Sequence, residues 1–129
     1  MLSTDAFNYV NVLDKAADAS WSRENILTNN IANVNTPGYK RKDLNFENTL
    51  KTDLGRCKHE SLDSKMKDVD LSRLNPSVYV DSSNYSYRLD GSNVDIDTEE
   101  VELASEQIRY QGITAGINGQ FDRMRSVIK

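Results

Sequence analysis

Apolar residues recur at alternating intervals of four and three at both ends of this 129-residue chain. Such spacing lines up side chains on one stripe of an α-helix, and the stripe must be covered in the folded protein. In the N-terminal series, seven of nine positions are apolar or small, which predicts a helix over residues 5–34 with Ser3 or Asp5 as its cap. The nine positions are Ala6, Val10, Leu13, Ala17, Ser20, Glu24, Leu27, Ile31 and Val34.

The C-terminal series predicts a second long helix. Six of its eight positions are apolar. Asp97 is expected to be the N-cap, with Glu100 completing a capping box and Glu99 adding negative charge at the positive end of the helix dipole. The eight positions are Leu103, Gln107, Tyr110, Thr114, Ile117, Phe121, Met124 and Ile128.

Two amphipathic helices of matched length most simply bury their stripes against each other. We therefore predict a mainly α fold in which two long terminal helices pack as a coiled-coil-like αα pair. Only 37% of the chain is hydrophobic and its mean hydropathy is −0.66. Gly112, Gly116 and Gly119 each cost the second helix about 1 kcal/mol relative to alanine. We expect a marginal monomer whose helices gain much of their order from neighbouring chains.

The segment between the helices is polar. Residues 51–75 contain 11 charged and seven hydrophobic residues, so this region is either a linker or holds one short helix lined by Leu62, Met66 and Val69. The predicted parts form one structural unit, with an N-terminal helix and turn over 1–46, a middle segment over 47–93 and a C-terminal helix over 94–129.

A short β-hairpin is predicted near the end of the middle segment. Val78 and Val80 alternate with polar or aromatic residues, as do Tyr85 and Tyr87 further on. The residues between these two stretches, DSSN, are typical of a turn, and Asp90-Gly91 predicts another.

Composition and motifs argue against several classes of function. The net charge of −4 does not suit nucleic-acid binding, and no signal peptide or membrane span is expected from the sequence. Cys57 and His59 could in principle form a nucleophile pair or part of a zinc site, but no further Cys or His exists to complete four ligands. We predict no catalytic residue, metal, cofactor or small-molecule substrate.

The acidic run DGSNVDIDTEE has the oxygen donors of a calcium loop but not its geometry. Asp90, Asn93, Asp95 and Asp97 are closely spaced, yet Gly91 is second in the run, where an EF-hand needs its glycine sixth. A turn followed by a helix cap explains these residues better. The remaining Asp and Glu residues are scattered and read as solvated surface.

The stretch NNIANVNTPGY, residues 29–39, stops the first helix with several devices at once. Asn33 and Asn35 suit a helix C-terminus, since asparagine tolerates left-handed backbone and forms local hydrogen bonds. Thr36-Pro37-Gly38-Tyr39 fits a type II turn in which Gly38 takes a positive φ. One such device would suffice to end a helix.

This stretch resembles the N-terminal signature of the bacterial flagellar rod, hook and hook-associated proteins. The positions that match this signature are Asn30, Ile31, Ala32, Asn33, Thr36, Pro37, Gly38 and Tyr39. The short chain and its C-terminal half are similar to the proximal-rod members of that family. The C-terminal matches are Asp90, Gly91, Val94, Asp95, Arg109, Tyr110 and Gln111.

The resemblance implies a structural rod subunit of the flagellar basal body that is exported without a cleaved signal and polymerises through its terminal helices to transmit torque. Its implied partners are further copies of itself, other rod subunits, the membrane-embedded base of the basal body and the flagellar export apparatus. The residues expected to serve assembly are Val10, Leu13, Leu27, Ile31, Val34, Leu103, Tyr110, Ile117, Phe121, Met124 and Ile128.

Three alternatives remain at this point. The chain could be another short axial subunit of the same family, a soluble coiled-coil adaptor that binds partner helices, or a small hydrolase that uses Cys57 and His59.

Overall fold

The computed structural model describes residues 5–58, 61–81 and 89–128. Two long helices dominate it, α1 (Asn8–Ala32) and α4 (Ile96–Val127), and a 3₁₀ turn over Asp5–Phe7 precedes α1. The two helices pack along each other and run antiparallel, since Asn30 contacts Glu99 while Ser20, earlier in α1, contacts Glu106, later in α4. The predicted pair of terminal helices is confirmed.

The buried face of α1 is more polar than its apolar series suggested. Leu27 is fully buried, but Val10, Leu13, Ile31 and Val34 are only half-buried. The most buried residues of the helix are Val12, Ala19, Ser20, Leu27 and Asn30. The most buried positions differ from the predicted apolar positions because both α4 and the segment after α1 cover the helix. These two segments contact α1 through polar side chains.

The packing face of α4 also differs from the predicted stripe. Leu103, Tyr110, Ile117 and Met124 are half-buried as expected, whereas Gln107, Thr114, Phe121 and Ile128 are exposed. The least exposed residues of α4 lie along Glu99, Leu103, Glu106, Tyr110, Ile113, Ile117, Gln120 and Met124. The prediction placed exposed residues in the stripe because it treated Glu99 and Glu106 as surface residues.

The predicted N-cap of α4 was two residues too late. Asp95 caps the helix, and its carboxylate accepts hydrogen bonds from the Asp97 N–H and the Thr98 hydroxyl. Asp97 lies within the first turn, where its charge still favours the helix dipole. Glu100 therefore has no capping-box role.

The middle segment is more helical than predicted. It contains α2 (Glu47–Arg56), which the sequence pattern did not indicate, and α3 (Leu62–Asp68). Helix α3 supports the short-helix interpretation of this segment over a linker, with Ser61 as its cap. Met66 and Val69 are half-buried, but Leu62 is exposed.

A two-stranded antiparallel sheet joins the two halves of the chain. Strand β1 (Lys42–Leu44) pairs with β2 (Val78–Val80) so that Lys42 faces Val80 and Leu44 faces Val78. The strand predicted at Val78–Val80 is present, but its partner in the described residues is β1. The second predicted strand, with Tyr85 and Tyr87, lies outside the described residues.

Across the described ranges, the helices are all too short or too polar to cross a membrane.

Candidate functional site

The turn that ends the first helical segment has the predicted geometry. The Tyr39 N–H donates to the Thr36 carbonyl at 3.2 Å, which closes a four-residue turn. Gly38 has a φ of +72°, the positive value that a type II turn needs. Local hydrogen bonding by Asn33 is also present, because its side chain donates to the Asn29 carbonyl and accepts from the Thr36 hydroxyl. The left-handed backbone expected near Asn33 is absent, since its φ is −102°.

This turn is joined to the loop that leads into α4. The Gly38 N–H donates to the Asp90 carbonyl at 2.7 Å, and the Lys40 ammonium donates to the Gly91 carbonyl at 2.8 Å. Gly91 also has a positive φ, +77°, and a Cβ placed on it would lie 3.9 Å from the Gly38 Cα. The two glycine turns of the sequence, far apart along the chain, therefore form one junction.

Asn93 completes the junction by binding backbone on both sides of it. Its side-chain oxygen accepts from the Arg41 N–H at 2.8 Å, its side-chain nitrogen donates to the Asp81 carbonyl at 2.9 Å, and its own N–H donates to the Tyr39 carbonyl at 3.3 Å. Asp90 accepts from the Ser92 N–H, as a turn residue does. Asp90 thus has the predicted turn role, whereas Asn93 bridges two backbone segments and Asp95, in place of the predicted Asp97, caps α4.

Asn30 connects α1 to this junction. It is fully buried, and its amide nitrogen donates to the Lys42 carbonyl at 2.8 Å and to Glu99 at 3.1 Å. Its amide oxygen accepts from the Lys42 N–H at 3.0 Å and from the Tyr39 hydroxyl at 3.3 Å. All the hydrogen-bonding capacity of the side chain is used, which accounts physically for an asparagine at this position of the motif.

A buried charge network extends from the junction between α1 and α4. Arg23 binds Asp43 at 2.8 Å, Glu106 at 2.7 Å and Glu102 at 2.9 Å. Glu106 is 2% exposed and also accepts from the Ser20 hydroxyl at 2.6 Å. One arginine of α1 is therefore bound to β1 and to two turns of α4.

A second arginine, directly before β1, makes a similar set of ion pairs. Arg41 binds Glu99 at 2.5 Å, Asp43 at 3.2 Å and Asp81 at 3.3 Å. Glu99 is 1% exposed. Because Asp43 binds both arginines, the charge network formed by Arg23, Arg41, Asp43, Glu99 and Glu106 is continuous.

The electrostatics favour the charged forms of Asp43, Arg23 and Arg41. Burial alone would raise the pKa of Asp43, but hydrogen bonds from Arg23, the Leu44 N–H and Arg41 outweigh this and hold that pKa below its ordinary value of 3.8. Bonds to Asp43, then Glu106 and Glu102, raise the pKa of Arg23 against the opposing effect of burial. Burial likewise opposes a raised pKa for Arg41, and Glu99 and Asp43 overcome it. Arg23, Arg41 and Asp43 are therefore charged at neutral pH.

Sequence reasoning missed this network, because it assigned the carboxylates to solvated surface. Glu99 and Glu106 are seven residues apart, as are Arg23 and Asn30, so each pair occupies one helical stripe. The two helices were expected to pack against each other, and both carry polar residues seven positions apart. This matching spacing was the sequence signal from which the network could have been predicted.

The other candidate residues lie away from the junction. The Cys57 thiol lies 3.6 Å from the Asp53 carbonyl and 3.7 Å from the Lys65 carbonyl, between α2 and α3, and His59 is outside the described residues. Of the predicted assembly residues, Phe121, Met124 and Ile128 line a shallow apolar groove with Phe7 near the end of α4.

Comparisons with known proteins agree with these motifs. Residues 13–40, which contain Asn30 and the turn, match the model of the family described as flagella basal body rod protein. The flagellar basal body rod protein FlgB of Bacillus subtilis is 36% identical over 90% of this chain and 89% of its own length. FlgB of Salmonella typhimurium is 33% identical over 83% of each chain, and FlgB of Escherichia coli is 28% identical over the same shares.

These relatives are all rod proteins of one kind, and the similarity covers most of each chain. This chain belongs to the FlgB family of flagellar basal body rod proteins, which are structural subunits of the bacterial flagellum.

Proposed function

We propose that this subunit polymerises through the outer faces of α1 and α4 and that torque passes along the rod through the resulting helix contacts. The observation that carries the proposal is the distribution of apolar side chains. Among the described residues, six hydrophobic residues are buried and twelve large ones are exposed. A monomer with so small an apolar core gains stability when neighbouring copies cover its surface.

Helix α4 holds the largest share of these exposed residues. They are Ile96, Val101, Ile108, Phe121 and Val127, followed by Ile128 directly after the helix. The junction described above holds α1, β1 and the start of α4 in fixed relative positions. A rigid subunit of this kind transmits a twisting force better than a flexible one, since the force is not lost in hinge motion.

Assembly of this kind needs a heterologous contact, in which one surface of a copy meets a different surface of the next. Such contacts propagate into a helical filament, whereas a self-complementary contact closes into a dimer. We propose further copies of this chain, other rod subunits and the membrane-embedded base of the basal body as the partners.

Deletion of the gene tests this function. Basal bodies are then purified by detergent extraction from a strain in which the gene has been restored. We expect the deletion to abolish motility and rods, and the restored protein to co-purify with basal bodies. A soluble coiled-coil adaptor would instead remain in the soluble fraction, and that result would overturn the proposal.

We also propose that the subunit passes through the flagellar export apparatus without cleavage. The resemblance of both ends to the axial family supports this route. Mass spectrometry of the protein in purified basal bodies should find the first residues of the chain intact. A shortened N-terminus would contradict uncleaved export.

A further inference from the structure

Each of the two long helices has an outer face that no described residue covers. On α1 this face consists of five exposed residues, and its only aromatic residue, Trp21, is 60% exposed. The five are Asp14, Asp18, Trp21, Asn25 and Thr28. This face is opposite the buried residues of α1. An exposed tryptophan between polar neighbours has the character of an interface anchor.

The outer face of α4 combines exposed apolar residues with small ones. Val101 and Ile108 are 69% and 70% exposed, and the face continues through Gly112 and Ala115, both exposed, to the half-buried Gly119. A Cβ added to Gly112 or Gly119 would meet nothing within 4 Å. Gly116 differs, because its added Cβ would lie 3.7 Å from the Leu13 side chain on α1. The small residues therefore leave a depression after Ile108 on the side of α4 away from α1.

Resting on the proposed function, we propose that Trp21 of one copy packs against the Ile108–Gly119 face of α4 in a second copy. The two surfaces point away from each other within one chain, so they can meet only between copies. The contact joins different surfaces and is thus heterologous, as a propagating rod requires.

The distribution of charge also favours a second copy of the chain as the partner, and it favours one orientation of the two copies. Asp14 and Asp18 precede Trp21 on α1, while Arg123 and Arg125 are exposed near the C-terminal end of α4, with Asp122 paired to Arg125. Two copies side by side in the same orientation bring α1 of one antiparallel to α4 of the other. With Trp21 over the depression near Ala115, Asp14 of one copy then lies close to Arg123 of the other, since the two charges are seven and eight residues from the contact.

The variant Gly112→Leu should impair this contact without impairing the folding of the chain. Leucine has a much higher helix propensity than glycine, and the site has free space, so the isolated variant is expected to unfold at a higher temperature than the unsubstituted chain. The added side chain fills the depression, so incorporation into basal bodies should fall about tenfold or more. Gly55→Leu is the matched control, because Gly55 lies in helix α2 and is also free of neighbours within 4 Å. It should incorporate normally.

Trp21→Ala and a charge exchange complete the test. Truncation of an interface anchor weakens binding by about 30-fold, so Trp21→Ala should lose motility while Asn25→Ala on the same face keeps it. Asp14→Arg and Arg123→Asp should each reduce motility, and the double variant should recover it. Normal incorporation of Gly112→Leu, or full motility of Trp21→Ala, would overturn the contact. Failure of the unsubstituted protein to enter basal bodies would instead overturn the proposed function.

Discussion

Asn30 is a residue on which three parts of the fold converge. Its side chain binds β1, the turn tyrosine and α4 with four hydrogen bonds. No other side chain of this size offers two donors and two acceptors in one plane. Asn30 is therefore the part of the family motif whose chemistry is most constrained.

Asn30→Asp should destabilise the isolated chain by about 3 kcal/mol at neutral pH. The new carboxylate cannot donate to the Lys42 carbonyl, and it lies beside the Glu99 carboxylate. Urea denaturation of the two purified chains measures the difference. Asn25→Asp, on the exposed face of the same helix, is the control and should unfold close to the unsubstituted chain. Equal midpoints for both variants would contradict the role given to Asn30.

Gly38 is constrained by its backbone alone, because a Cβ there would meet nothing within 4 Å. Its φ of +72° is unfavourable for a β-branched residue and more tolerable for asparagine. Gly38→Val should therefore cost about 2 kcal/mol of unfolding free energy and reduce motility, while Gly38→Asn should cost about half as much. Equal stability of the two variants would show that the turn relaxes to another conformation.

At the scale of elements, the charge network fixes how α1, β1 and α4 are aligned. Arg23→Met should destabilise the chain by about 3 kcal/mol, because the buried Glu106 loses its closest cation and the buried Asp43 keeps only Arg41. Arg73→Met removes an exposed pair with Asp70 within one helical turn, and its effect should be under about 0.5 kcal/mol. Thermal unfolding followed by circular dichroism compares the two. A small effect at Arg23 would mean that water reaches the network freely.

The elements themselves were only partly predictable from the sequence. The two apolar series and Pro37 were sufficient to place the long helices and to end the first one. Helix α2 escaped prediction because its sequence, ENTLKTDLGR, has two leucines and no sustained stripe. Its tertiary contacts include the ion pair between Glu47 and Arg109 of α4, which the sequence pattern does not show.

At the candidate site, the sequence predicted the backbone turns but not the buried charge network. Pro37-Gly38 and Asp90-Gly91 indicated two turns correctly, because glycine and proline act through local geometry. That the two turns touch each other depends on the antiparallel packing of α1 and α4. Glu99 is a further example, since an acidic residue in the first turn of a helix suits the dipole whether it is exposed or buried.

For the whole molecule, the network predicts a loss of stability in acid. The pKa of Asp43 is lower in the folded chain than in the unfolded one, so its contribution is fully present above 3.8 and is lost as the pH falls through the folded value. The arginines remain charged across this range. Asp43→Asn should be less stable than the unsubstituted chain at neutral pH, and the difference should narrow below pH 3.8.

Unfolding free energies measured by urea across that pH range test this. Asp18→Asn, at an exposed position of α1, should leave the pH dependence unchanged. A constant difference between Asp43→Asn and the unsubstituted chain at all pH values would show that Asp43 contributes through hydrogen-bond geometry and not through its charge.

The contact between the Gly38 turn and the Asp90-Gly91 turn has a consequence for how the chain can be altered. Because these two turns are hydrogen-bonded to each other, the residues between them form a loop whose ends are already held together. Lengthening such a loop costs little additional closure entropy, since that cost grows only with the logarithm of its length. The middle segment is therefore the natural place to graft a foreign domain, and a graft with adjacent termini should leave the long helices paired.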